Sequence, residues 1–331
     1  MKILVAGGAG YVGTSLIPLL LERGYEVEVV DLLWFDRELP PQVNVIRKEI
    51  LEVQQEELEV YDQVIFLAGL SNDPMAEFSP GMNFVFNAAA PAYLAYIAKR
   101  AGVKRFIYAS SCSIYGYTAD ELMNEDSAVD PIYPYGISKL QGEEGVFRLA
   151  GNDFSVISLR KGTVCGYSPR MRLDLVVNTM FKTAVADRVI RVHNPSIWRP
   201  ILSIDDAVTA YIRAVEAYES ISGIFNISSG NYTVGEIGDL VKHRVEKLMG
   251  IDVKLEINHI QDYRNYKVSI EKAQNVLSFK PTHDVQSIVT QLVDNHDRFK
   301  DFDNPKYYNI RVFKEISGAV QAMMPKMGQA G

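Results

Sequence analysis

The sequence predicts an α/β protein built on a doubly wound parallel sheet, with a smaller mixed α/β lobe after it. Two observations carry this. First, six short β-rich runs, Lys2–Ala6, Glu26–Asp31, Asn44–Arg47, Gln63–Leu67, Arg105–Ala109 and Phe154–Arg160, alternate with helix-length segments such as Gly13–Arg23, Asn87–Ala101 and Tyr135–Ala150. Runs rich in Val, Ile, Leu, Phe and Tyr, spaced by helices, indicate a parallel sheet covered on both faces. Second, a glycine-rich turn joins the first run to the first helix. After Gly166 the alternation loosens into loops around Pro169 and Pro195–Pro200, with a later helix at Val234–Met249. The expected division is a first lobe over 1–165, rejoined by 198–222, a second lobe from 166–197 and 223–300, and a C-terminal helix and tail over 301–331.

Bulk properties narrow the class. A chain of 331 residues with 47% apolar and 23% charged residues is an ordinary globular protein of one large or two moderate domains. The net charge of -7, with Lys and Arg scattered, argues against a nucleic-acid partner. Two distant cysteines, Cys112 and Cys165, form neither a disulfide framework nor a metal-ligand spacing, so a reducing, cytoplasmic setting without a bound metal is expected. Ile3 to Leu21 carries no charge, yet its four glycines and Pro18 fit a strand, turn and helix better than a leader or a membrane span. Pro18 removes one hydrogen bond of that helix and bends it near Thr14.

Residues 7–13 read Gly-Gly-Ala-Gly-Tyr-Val-Gly. Gly7 suits a tight turn, Gly10 a close backbone approach to a pyrophosphate, and Gly13 close helix–strand packing, with the helix N-terminus facing the anion. Asp31 ends the next strand, near the spacing of about twenty residues at which a carboxylate meets the ribose hydroxyls of a dinucleotide. A carboxylate there repels a 2′-phosphate, so the cofactor read from this Rossmann-type motif is NAD rather than NADP. Arg37 is the cation positioned to reverse that preference by reaching a 2′-phosphate.

A second constellation is chemical. Tyr135-Gly-Ile-Ser-Lys139 sets a phenol and an ammonium four residues apart, on one helix face. Upstream, Tyr108-Ala-Ser-Ser-Cys-Ser-Ile-Tyr-Gly116 places hydroxyls at a strand end, where α/β sheets present ligands. A phenol of pKa about 10 is a poor base at neutral pH. An ammonium beside it, and a cationic nicotinamide, favour the phenolate. Such a set removes a carbinol proton while hydride leaves the same carbon.

These motifs, with Leu67-Ala-Gly69, Leu159-Arg160 and Arg199-Pro-Ile-Leu-Ser-Ile-Asp-Asp206, resemble the extended short-chain dehydrogenases/reductases of the nucleotide-sugar epimerase/dehydratase group, UDP-glucose 4-epimerase-like members above all. The likeness runs from about Lys2 to Asp294. It implies a catalytic Ser111, Tyr135 and Lys139, with Ser110 and Ser113 the less favoured serines. It implies dinucleotide contacts from Gly7, Gly10, Tyr11, Val12, Gly13, Asp31, Leu67, Ala68, Gly69, Asn87, Tyr135 and Lys139. It also implies a nucleotide-diphosphate sugar as substrate, held by Ser111, Ser113, Thr163, Arg170, Arg199 and Arg264, and a homodimer through first-lobe helices. Of Arg170 and Arg172, at least one is expected to be a solvated loop cation. Thr163 stands where relatives carry a substrate-contacting Asn, and Glu49-Ile50 where they carry Asp-Ile near the adenine.

Members of the group share hydride removal from the sugar and differ in the later steps. Relatives that eliminate water carry an acid pair after the catalytic hydroxyl, and the decarboxylases a Glu; here Cys112 and Ser113 occupy those positions. In 3,5-epimerase-like relatives a catalytic Cys stands at the position of Ser113, so Cys112 reads as a buried, inert thiol. A site of Ser, Tyr and Lys alone suffices for reversible 4-oxidation. The expected function is therefore an NAD-dependent 4-epimerase acting through a transient 4-keto sugar. A 4-oxidase or 4-reductase with net redox is the alternative, and a catalytically inactive dinucleotide-binding relative the remaining one.

Overall fold

The computed structural model describes residues 1–259 and 264–323; of the expected tail, 324–331 lie outside the described residues. The chain begins β1 (Lys2–Ala6), α1 (Gly13–Glu22), β2 (Glu26–Val30), β3 (Asn44–Ile46), β4 (Gln63–Phe66), α2 (Asp73–Phe78), α3 (Pro80–Phe84) and α4 (Ala90–Arg100). It continues β5 (Arg105–Ser111), β6 (Tyr117–Met123), α5 (Pro134–Phe147), β7 (Ser155–Lys161), β8 (Thr163–Cys165), α6 (Val176–Asp187), β9 (Val189–His193), β10 (Trp198–Ser203) and α7 (Ile204–Glu216). It closes β11 (Gly223–Ile227), β12 (Gly230–Thr233), α8 (Val234–Met249), β13 (Lys254–Asn258), β14 (Asn265–Val268), α9 (Glu271–Leu277), α10 (Val285–Asp294) and α11 (Asn309–Met323).

Seven strands form one parallel sheet in the order β3-β2-β1-β4-β5-β7-β11. Side-chain alternation explains its two helical layers. Ile3 and Val5 of β1 face α1 and α7, meeting Leu16, Ile17, Leu20 and Tyr211, whereas Leu4 and Ala6 face α4, meeting Leu94 and Ala98. The order reverses direction between β1 and β4, so the strand C-termini open a crevice there, as in other doubly wound sheets. The second lobe has its own core, where Val177 and Phe181 of α6 pack with Ile237 and Val241 of α8 and Ile288 and Leu292 of α10. Three small sheets, β12-β10-β8, β13-β9 and β14-β6, complete it.

Two expected boundaries differ. Gly223–Ile227, expected in the second lobe, is an edge strand of the main sheet, paired in parallel with β7. Trp198–Ser203, expected to return to the first lobe, pairs with β8 and β12, yet its Leu202 enters the main-sheet core together with the following helix, α7, while Ile201 enters the second-lobe core. The helix expected over Asn87–Ala101 is the last part of a longer element: α3, one π-helical turn at Val85–Ala89, then α4. Pro91 explains the irregular turn. It has no N–H to give the carbonyl four residues back, that of Asn87. The Tyr108 hydroxyl donates to that carbonyl instead, at 3.1 Å.

Helix α5, which carries the tyrosine and lysine, is tied to β7 by a buried ion pair. Glu143 accepts from Arg160 Nε and Nη2, the latter at 2.7 Å, and from Ser158 Oγ at 2.7 Å. Arg160 Nη1 also donates to the Tyr115 hydroxyl at 2.9 Å. Removing one member would strand a buried charge, so this brace fixes where Tyr135 and Lys139 sit.

Candidate active site

A cavity of about 840 Å³ runs along the crevice, from the loop after β2 to the hydroxyls that end β5. At the first end backbone shape decides. Gly7 adopts φ +77°, and a Cβ there would lie 2.5 Å from the Ala68 amide; a Cβ on Gly13 would lie 2.2 Å from the Gly8 carbonyl. Only glycine permits turn, strand end and helix to close this tightly. Val12, the N-cap of α1, has no side-chain acceptor; the Thr14 and Ser15 amides donate to the Gly10 and Val12 carbonyls, and the positive end of the helix faces the cavity, where an anion is favoured.

Asp31 lines the cavity, and its two oxygens accept from the Ala9 amide at 3.0 Å and the Leu33 amide at 2.8 Å. Burial raises its pKa, opposed by those amides. Arg37 points elsewhere: it is exposed, and Nη2 donates to the Val43 carbonyl at 2.7 Å. Leu67, Ala68, Gly69 and Glu49 also lie on the wall. Asn87 does not. It is buried behind Gly69, and its Nδ2 donates to the Leu70 carbonyl at 2.9 Å.

At the other end Ser111 lies in β5 and Tyr135 in the first turn of α5. Ser111 Oγ accepts from both the amide and the hydroxyl of Ser113, at 3.2 and 2.9 Å. Its own hydrogen is therefore left for Tyr135 or a substrate oxygen, which separates the two serines' roles. Burial first and Asp73 second push the Tyr135 phenol up to about 12, while Ser111 and Arg172 pull it down. Helical spacing places Lys139 to lower the phenol, but desolvation outweighs the lowering by Ser111 and Arg172. Lys139 lies behind the wall, 4.4 Å over the Tyr108 ring, its pKa held well below the usual lysine value by burial and then by Lys161.

The structure brings Arg199 and Arg264 together, since Arg199 Nη1 donates to the Arg264 carbonyl. Arg264 pairs with Asp73 at 2.7 Å. Thr163 lines the same region from β8. Neither Arg170 nor Arg172 is a solvated loop cation: they are 4% and 6% exposed and both line the cavity. The signal missed there is Pro169-Arg-Met-Arg-Leu-Asp174. Arg170, Arg172 and Asp174 alternate with Met171 and Leu173, which enter the second-lobe core. A period of two is legible in sequence once the segment is treated as extended. Arg172 pairs with Asp174 at 2.8 Å, and Arg170 lies within electrostatic reach of Arg172, Asp174, Tyr11 and Asp31. Also missed were Trp34, Phe35, Lys161 and Asn309, all on the cavity wall.

Comparison with known proteins agrees with this geometry. The model of the NAD dependent epimerase/dehydratase family matches residues 3–228. A putative UDP-glucose 4-epimerase of Methanocaldococcus jannaschii is 25% identical over 308 residues, covering 88% of this chain and 97% of that protein. UDP-glucuronic acid decarboxylase 3 of Arabidopsis thaliana is 26% identical over 300 residues, covering 85% and 84%. Among solved structures, MoeE5 in complex with UDP-glucuronic acid and NAD superposes with a TM-score of 0.79 at 25% identity, over 90% of this chain and 99% of that one. UDP-glucuronic acid 4-epimerase from Bacillus cereus has the same fold, with a TM-score of 0.79 at 24% identity over 91% and 100%. Among the described residues no helix is long and apolar enough to cross a membrane, and no cluster suits a metal ion. The glycine turn, the half-buried Asp31 and the Ser111–Tyr135 pair in one crevice, with the family model matched over two-thirds of the sequence, make this chain an enzyme of the NAD dependent epimerase/dehydratase family, with NAD as its cofactor.

Proposed function

We propose that the enzyme is a nucleotide-diphosphate-sugar 4-epimerase that works through a transient 4-keto sugar. The observation that carries this reading is the absence, among the described residues, of a spare acid beside Ser111. Cys112 is fully buried, its Sγ donates to the Arg160 carbonyl at 3.1 Å, and burial pushes its thiol far above neutrality. Ser113 spends its hydroxyl on Ser111. The wall carboxylates nearest Tyr135 and Arg172, Asp73 and Asp174, are each paired with an arginine. Elimination or decarboxylation needs a further proton donor or acceptor, whereas reversible oxidation needs only the triad.

In this reading Tyr135, as the phenolate that a bound cationic nicotinamide would favour, takes the proton of the sugar 4-hydroxyl, and Ser111 donates a hydrogen bond to the same oxygen and orients it. NAD, when bound, supplies the hydride acceptor. Arg199 and Arg264 hold the diphosphate as planar donors, Arg264 keeping its pairing with Asp73 through its remaining N–H groups. Returning hydride to the opposite face of the ketone inverts C4.

The test is incubation with a panel of UDP-, GDP-, CDP- and dTDP-hexoses and uronic acids, separating isomers at constant mass. Accumulation of a 4-epimer from one of them supports the reading. A product lighter by water or carbon dioxide overturns it, and NADH formed in proportion to product identifies a 4-oxidase.

A further inference from the structure

The cavity's adenosine end contains a cation that the Rossmann motif does not account for. Arg170 comes from the loop after β8, outside the main sheet, and its guanidinium carbon stacks 3.6 Å from the centre of the Phe35 ring. Its Nη2 donates to Asn309 Oδ1, and its Nε is buried with no hydrogen-bond partner. A buried guanidinium N–H without an acceptor is rare and costly. Burial first and Arg172 second lower the affinity of this guanidinium for its proton, the signature of a cation lacking a sufficient counter-anion; Asp31 and Asp174 oppose them. The loop is stitched to the glycine turn. The Tyr11 hydroxyl donates to the Gly166 carbonyl at 2.6 Å, and Ser168 Oγ donates to the Tyr11 carbonyl at 2.7 Å. The Arg170 backbone is therefore fixed against the first turn of α1, its amide donating to Thr14 Oγ1 at 3.4 Å, with its guanidinium in electrostatic reach of Asp31.

The C-terminal segment closes the same end from outside. Asn309 Nδ2 donates to Ser71 Oγ at 2.6 Å, and Lys306 pairs with Asp36. Phe313 is fully buried and packs on Trp34 at 5.6 Å and Phe78 at 5.9 Å. Residues 306–313 thus bridge the two segments that flank the crevice, the loop 31–36 and the stretch 70–78 that carries α2. They lie beyond the stretch matched by the family model.

We propose that Arg170 and Asn309 form a clamp on the adenosine-diphosphate half of the dinucleotide, held shut by the C-terminal strap. Arg170 offers Nε to a ribose or pyrophosphate oxygen, and Asn309 holds the guanidinium in plane for it. The strap slows loss of cofactor between turnovers. This depends on NAD as cofactor and not on which sugar reaction the enzyme performs.

The experiment measures the dissociation rate of NADH by fluorescence, and the affinities of ADP-ribose and UDP by calorimetry, in the full chain and in Arg170→Gln and Asn309→Ala. The clamp predicts NADH leaving on the order of ten times faster from either variant, the size of one hydrogen bond to a charged group. ADP-ribose should weaken in parallel and UDP should not. Asn309→Ala decides alone should Arg170→Gln not fold, since it leaves every buried charge in place. NADH release within twofold of the parent in the folded variants would overturn the clamp. Weakened UDP with unchanged ADP-ribose would also overturn it, placing Arg170 on the substrate.

Discussion

The two ends of the cavity are built on opposite principles. At the Asp31 end, Arg170 apart, shape and fixed partners dominate: glycines without room for a Cβ, and a carboxylate whose two oxygens each hold a backbone amide. At the Tyr135 end, titratable groups are held away from their usual values by burial and by one another. The phenol stands at about 12, Lys161 at about 8, and Lys139 well below the usual lysine value. The first arrangement binds a ligand by complementarity. The second stores unfavourable electrostatics that a bound ligand relieves, which is how perturbed groups come to mark sites of chemistry.

If this contrast is right, substitutions at the two ends should fail differently. The largest effect belongs to the catalytic end. Tyr135→Phe should lose turnover by the 10²–10⁴-fold typical of acid–base groups while binding NADH within twofold of the parent. Ser111→Ala should be slow as well and Ser113→Ala milder; a near-parent rate for Tyr135→Phe breaks the assignment. Next comes the brace beneath it. Arg160→Leu leaves Glu143 buried without its cation and should cost about 3–5 kcal/mol in urea unfolding. Changing both residues to Leu should recover much of that loss, and a single-variant loss under 1 kcal/mol would show the brace is dispensable.

At the binding end, Asp31→Ala should weaken NAD about tenfold, as loss of a hydrogen bond to a charged group does, and narrow the preference over NADP. An unchanged preference measured by calorimetry would remove Asp31 as the discriminator. The smallest effect sharpens the contrast through pH. Burial and then Arg172 lower Lys161 from 10.5 to about 8. Below pH 8 it is charged in both folded and unfolded chains, so its burial cost is fully present; that cost fades as pH rises toward 10.5. Lys161→Met should therefore stabilise the ligand-free protein at pH 7, by on the order of 2 kcal/mol, with the gain shrinking between pH 8 and 10.5. A gain independent of pH would assign it to packing.

The same contrast explains what the sequence disclosed. Gly7, Gly10, Gly13 and Asp31 were legible because backbone geometry restricts which residues fit, and such restrictions leave local spacing. Tyr135 and Lys139 were legible as a helical pair, but the direction of the phenol's shift was not, because it depends on burial and on Asp73, which lies 62 positions upstream. Asn87 was expected among the dinucleotide contacts, yet it lies behind Gly69 and off the cavity wall, a place set within the π-helical turn before Pro91. Arg170 and Asn309 were separated by 139 positions, and no local pattern reports a contact over that span. The edge strand Gly223–Ile227 was misplaced for the same reason: its partner β7 lies some sixty residues earlier.

Epimerisation at C4 requires hydride to leave and return to one carbon of one sugar. A nucleotide sugar carrying deuterium at C4, incubated with the enzyme and NAD well below substrate concentration, reads this out by mass spectrometry and NMR. The predicted result is many turnovers to a 4-epimer of unchanged mass, with deuterium retained at C4 and no accumulation of reduced cofactor. Product that has lost the deuterium while reduced cofactor builds up in proportion, or that has lost water or carbon dioxide, would contradict it.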